Sequence, residues 1–91
     1  MSNTVTKERI DQLIADSLIE QSTIGSKTTF VRLILPCGFE LIETSSCVDP
    51  ANYDPEIGKE ICMKHITDRL WQLEGYRLAW QLHERKENAN V

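Results

Sequence analysis

No apolar run in this chain approaches the roughly 20 residues that a membrane-crossing helix needs. The longest, Leu33-Ile34-Leu35, fits one short strand. Met1 to Ile10 is polar and holds no apolar h-region, so a signal peptide is not expected. Basic residues are the minority, 10 against 14 acidic ones in 91, for a net charge of −4. That balance argues against a general grip on nucleic acid or on an anionic membrane surface, since a basic face supplies most of such affinity. Cysteine is sparse. Cys37, Cys47 and Cys62 make an odd set without paired spacing, as expected of reduced thiols in a cytosol. The sequence also lacks internal repeats, low-complexity tracts and inter-domain linkers. One domain, residues 1–91, is expected, with a modest core for which oligomerisation is a common supplement.

Three blocks can be read along the chain. The first is a helix from about Lys7 to Ile19, capped by Thr6, with Glu8 and Asp11 where the helix dipole favours acids. Ile10, Leu13, Ile14 and Leu18 recur at helical steps, and Ser22 to Lys27, with Gly25, closes the block. The second is a β-hairpin: Thr28 to Leu35, a Pro36-Cys37-Gly38 turn, then Phe39 to Ser45. Val31, Leu33 and Leu35 share one face of its first strand. Two strands alone are marginal, so this hairpin must pack on helices or pair with another chain. The third is a long helix opening at Asp54-Pro55-Glu56, with Asp54 as cap, and running to about Arg85. Asp49-Pro50 reads as a separate turn just upstream. Gly75 marks a kink or a close backbone approach, and Glu87 to Val91 a frayed tail.

At 100° per residue the long helix shows two apolar stripes. One collects Cys62, Ile66, Leu70, Leu73, Tyr76 and Trp80; the other, roughly opposite, collects Ile57, Ile61, Trp71, Leu78 and Leu82. A helix apolar on two sides is normally buried on two sides. One helix and one hairpin cannot cover both, so the expected fold is α+β (N-terminal helix, β-hairpin, long C-terminal helix) assembled as a homo-oligomer, by default a closed symmetric one.

Catalytic and metal chemistry find little support. Cys62 and His65 are three apart on one helix, but a structural zinc takes four ligands, usually in paired clusters, and Cys37, Cys47 and His83 are not so spaced. Asp49, Asn52, Asp54 and Glu56 lack the spacing and glycine of a calcium loop. Glu40 and Glu43, at odd spacing on a strand, point to opposite faces and cannot form an acid–base pair. A nucleophile pair of Cys47 with His65 or His83 has nothing to position it. There is no glycine-rich phosphate loop, nucleophile elbow or zinc-protease helix. The expectation is a protein without enzymatic activity, cofactor or metal. Tyr53, Tyr76, Trp71 and Trp80, with Arg32, Lys64, Arg69 and Arg77, offer the aromatic faces and cationic groups that a nucleotide-like ligand would use. Their ordinary alternative is core filling and pairing with helix acids such as Glu74 and Asp68.

Two segments carry a family resemblance. They are Cys47-Val48-Asp49-Pro50-Ala51-Asn52-Tyr53-Asp54-Pro55-Glu56-Ile57-Gly58 and Leu70-Trp71-Gln72-Leu73-Glu74-Gly75-Tyr76-Arg77-Leu78. In both the chain resembles the small gene-product-49/66 family of tailed phages and prophages, from about Phe30 to Leu82. The resemblance implies a phage accessory protein made in the bacterial host cytoplasm and carries over no catalytic residue. Asp49, Asn52, Asp54, Gly58, Trp71, Glu74, Gly75 and Tyr76 stand at the matched positions. Motif position and side-chain chemistry together nominate Asn52, Tyr53, Asp54, Trp71, Glu74, Tyr76 and Arg77 as ligand-binding residues. The function expected is binding, through host interaction or counter-defence, by sequestering a nucleotide-like ligand or a host protein. A structural or virion-associated component is the alternative.

Overall fold

The computed structural model describes residues 3–89. The element order is α1 (Lys7–Ala15), β1 (Leu18–Ile24), β2 (Thr28–Ile34), β3 (Glu40–Ser46), a 3-10 turn (Pro50–Asn52) and α2 (Pro55–Ala89). The three strands form an antiparallel meander in chain order, and α2 lies across β2 and β3. The class is α+β.

Thr6 caps α1 by accepting from Arg9 N–H at 3.1 Å. The helix stops at Ala15, short of the Ile19 that its apolar spacing suggests, and Leu18 and Ile19 open a strand. The helix ends at Asp16, its C-cap, and at Ser17, residue types whose short polar side chains disfavour helix interiors. The Ser17 hydroxyl donates to the Leu13 carbonyl at 2.5 Å. The expected hairpin is therefore a three-stranded sheet, with Ser22 to Ile24 inside β1 rather than in a terminating loop. Gly25, at φ 66°, opens the β1–β2 turn, and Gly38, at φ 91°, closes the β2–β3 turn.

Thr29, Val31 and Leu33 of β2 and Leu41 of β3 face α2, where they meet Cys62, Ile66 and Leu70; Ile10 of α1 completes this buried cluster. The even-numbered residues of β2 face the other way, and there Arg32 sits between Glu20 and Glu40. Asp49 caps the 3-10 turn through Ala51 N–H, and Asp54 caps α2 through Glu56 N–H, both at 2.9 Å. At α2's first turn Gly58 packs on β2 so closely that a Cβ there would lie 2.0 Å from Thr29 Oγ1. Gly75, by contrast, would meet nothing within 4 Å. The close approach belongs to Gly58, not Gly75.

The sheet is too short for the helix. Seven-residue strands span roughly 23 Å, whereas 35 helical residues span about 52 Å. The first apolar stripe is thus buried only as far as Leu70, while Leu73, Tyr76 and Trp80 are exposed. On the second stripe Ile57, Ile61 and Trp71 are exposed, and Leu78 and Leu82 are half-buried. The helix continues past Arg85 to Ala89, through most of the segment expected to fray; Asn90 and Val91 lie outside the described residues.

Candidate binding site

Six of the seven nominated residues occupy three separate places, and Trp71 lies in none of them. Asn52, Tyr53 and Asp54 line a hollow of about 190 Å³ at the start of α2, with Ser45, Cys47 and Ile57. Two of them are committed to the fold. The Tyr53 hydroxyl lies 2.8 Å from both Thr23 Oγ1 and Thr29 Oγ1, which ties the α2 approach to β1 and β2. The Asp54 carboxylate caps α2.

Glu74 and Arg77 line a second groove, of about 320 Å³, between the start of α1 and the distal half of α2. Glu74 is only 14% exposed, and its Oε1 accepts from Arg9 Nε at 2.8 Å and from Arg77 Nη1 at 3.4 Å. Two guanidinium groups share one carboxylate there, so the groove carries a local excess of one positive charge. Arg9 was not among the nominated residues. No sequence signal links it to Glu74, 65 positions away.

Tyr76 belongs to a third surface. With Ala79, Trp80 and His83 it lines a shallow, open cleft of about 230 Å³. Tyr76 and Trp80 meet edge-on with ring centroids 6.4 Å apart, and Trp80 and His83 do so at 5.5 Å. Tyr76 is 67% exposed and Trp80 49%. Such amphipathic aromatic area is what interface anchors are made of. Helical spacing at i, i+4 and i+7 is a signal for this trio, but the apolar pattern groups only Tyr76 and Trp80, on one stripe with Cys62, Ile66 and Leu70, and leaves out His83.

The three places do not add up to one pocket. Asp54 and Tyr76 are 22 residues apart along α2, roughly 33 Å at helical rise. Tyr76 and Arg77 are neighbours in sequence but turn about 100° from each other. A planar anion stacked on Tyr76 or Trp80 would therefore not meet the Arg9–Arg77 groove within one chain.

A further polar cluster joins β3 to α2. Glu43 accepts from Arg69 Nη1 at 3.1 Å and lies 3.5 Å from His65 Nδ1, while Arg69 also donates to the Ile42 carbonyl at 3.2 Å. Cys62, one turn away, points into the core with its Sγ 3.9 Å from the Thr29 carbonyl. Burial, with a smaller contribution from the Glu43 charge, pushes the Cys62 thiol pKa up. Cys62 and His65 thus go to different partners. Cys37 is exposed, and Cys47 is half-buried with its Sγ 3.2 Å from the Asp49 carbonyl. Among the described residues no three His, Cys, Asp or Glu side chains gather as a metal site would require, and no helix is long and apolar enough to cross a membrane.

No curated protein and no solved structure matches this chain. A family model does match, over residues 5–82, which spans α1, the whole sheet and α2 as far as Leu82. The chain belongs to the Phage protein (N4 Gp49/phage Sf6 gene 66) family.

Proposed function

We propose that this protein is a non-enzymatic phage accessory protein that works in the bacterial host cytoplasm by sequestering a host protein, and that Leu73, Tyr76 and Trp80 on the distal half of α2 form its contact surface. The observation that supports this reading is the exposed aromatic face itself. α2 outruns the sheet and carries Tyr76 and Trp80, residue types enriched in interface hot spots, into solvent beside Leu73. A host protein fits better than a nucleotide-like ligand, because the aromatic and guanidinium groups a nucleotide would need lie on different faces of α2. Counter-defence by stoichiometric capture is a role that such a surface serves without catalysis.

The test pairs capture with a mutation. Tagged full-length protein expressed in the host is used to retain a partner, and the purified pair is measured by calorimetry. Trp80→Ala should weaken binding by about 2 kcal/mol or more, roughly thirtyfold, whereas Ile24→Ala should not. A partner held equally by Trp80→Ala and wild type would remove this surface from the reading. Absence of any host partner, together with the protein's recovery in purified virions, would replace the reading with a structural role. Heat of binding from a nucleotide that disappears in Arg77→Ala would favour the small-ligand form.

A further inference from the structure

β1 is the least covered of the three strands. All seven of its residues are exposed, one edge pairs with β2, and the other meets no strand among the described residues. Ladder parity decides what that edge offers. Leu35 N–H donates to the Phe39 carbonyl and Cys47 N–H to the Lys27 carbonyl. The odd-numbered residues of β2 therefore bond to β3, and its even-numbered residues bond to Leu18, Glu20, Ser22 and Ile24. This leaves the N–H and C=O groups of Ile19, Gln21 and Thr23 pointing out of the sheet edge.

The two edges of the sheet are not alike. By the same parity the Ile42 carbonyl points out of the β3 edge, and there Arg69 donates to it at 3.2 Å. Natural proteins blunt exposed edges with proline, charge, bulges or a covering group. β1 has no proline, its register with β2 is unbroken, and its one charged side chain, Glu20, is held by Arg32 on the sheet face. Leu18 and Ile24 are 68% and 54% exposed at its two ends.

We propose that β1 of a second copy occupies this edge, antiparallel about a two-fold axis through Gln21, joining the two sheets into one of six strands. Only outward-pointing residues can exchange ladder bonds, so the axis must fall on a residue. An axis at Glu20 would set two carboxylates directly opposite each other, which is destabilising. An axis at Ser22 leaves only Gln21 and Thr23 to exchange bonds, because Ile19 would face the Gly25 turn. An axis at Gln21 uses all three outward residues, for about six ladder bonds. It also sets Leu18 opposite Ile24 of the second copy, and Glu20 opposite Ser22, at both ends. Each α2 would then flank a shared floor of Ile19, Gln21 and Thr23 from both copies. This interface is independent of the aromatic face of α2 and stands whether or not that face binds a host protein.

Analytical ultracentrifugation of the full chain, across a concentration series, tests it. Wild type is expected to dimerise. Gln21→Pro removes an N–H that the monomer does not use in its ladder and should give a monomer with an unchanged circular dichroism spectrum. Ser22→Glu places like charges across the axis and should weaken the dimer at least about tenfold, while Ser22→Lys, facing Glu20, should not weaken it. A wild-type monomer throughout the series overturns the proposal. So does a dimer whose dissociation constant is unmoved by Gln21→Pro. If that variant fails to fold, the two Ser22 variants decide: equal effects from both, or the reverse order, rule out this register.

Discussion

A methyl group added at Gly58 would lie 2.0 Å from Thr29 Oγ1 and 2.6 Å from Thr29 Cβ, and Thr29 is fully buried in the middle strand. Gly58→Ala should therefore cost about 1–3 kcal/mol in urea denaturation, the usual range for overpacking. Thr29→Ala should not rescue it, because the offending Cβ remains. Full rescue by that second change would mean that helix and strand can separate freely here. Tyr53 supplies the hydrogen bonds on the other side of the same threonine. Tyr53→Phe should cost about 1–2 kcal/mol by stranding the buried Thr29 hydroxyl, and an unchanged midpoint would show that water replaces it. Cys62 gives a pH-dependent prediction. Its folded-state pKa is raised above the ordinary 9.0, so below that pH the thiol is protonated whether folded or unfolded and contributes nothing to the pH dependence. Above pH 9.0 the unfolded chain loses its proton first, and stability should fall as pH rises. Melting followed across that range should show a slope that Cys62→Ala reduces. At neutral pH a thiol reagent should label Cys37 and Cys47 and reach Cys62 only on unfolding.

At the scale of elements, legibility followed burial. α2 and its capping aspartate are readable because Asp54-Pro55-Glu56 is a local signal, and β2 because Val31 and Leu33 alternate into a core, although the strand ends at Ile34, before the Leu35 assigned to the same face. β1 was not readable as a strand. An edge strand exposed on both faces has no polar–apolar alternation, and its first residue, Leu18, falls in step with the apolar spacing of α1. Thr23 and Ile24 before Gly25 were the only strand signal it carried. The nominated residues scatter over separate parts of the fold, since proximity across elements leaves no trace in one sequence: Arg9 with Glu74, or Glu43 with Arg69, has no sequence signal. The Arg9–Glu74–Arg77 link also makes a prediction about how α1 is held. Because Arg9 is nearly half exposed, a double-mutant cycle on Arg9→Ala and Glu74→Ala should return a coupling of only about 0.5–1 kcal/mol, diminishing with added salt. A coupling near zero would leave the apolar packing of Val5, Ile10 and Ile14 to anchor α1.

The molecule as a whole is a rod, 63 Å long and about 20 Å across, because one 35-residue helix is packed on strands of seven. Its stabilising burial is concentrated at one end, where Cys62, Ile66 and Leu70 meet Val31, Leu33 and Leu41. Beyond Leu78 only Leu82 of the described side chains is half-buried and the others are exposed, and a largely exposed helical segment of that length is marginal in water. Amide hydrogen exchange should read this gradient directly. In the isolated protein at low concentration, amides of Val31 to Leu33 and Cys62 to Leu70 should exchange slowest, at rates set by global unfolding, and those from Leu82 to Lys86 fastest. Addition of a partner that binds the aromatic face should slow the distal amides while leaving β1 unchanged, whereas raising the concentration into the dimer range should slow Ile19, Gln21 and Thr23 and leave the distal helix as it was. If one condition slowed both segments together, the two surfaces would be parts of a single interface, and the separate assignments of host contact to α2 and self-contact to β1 would fail together.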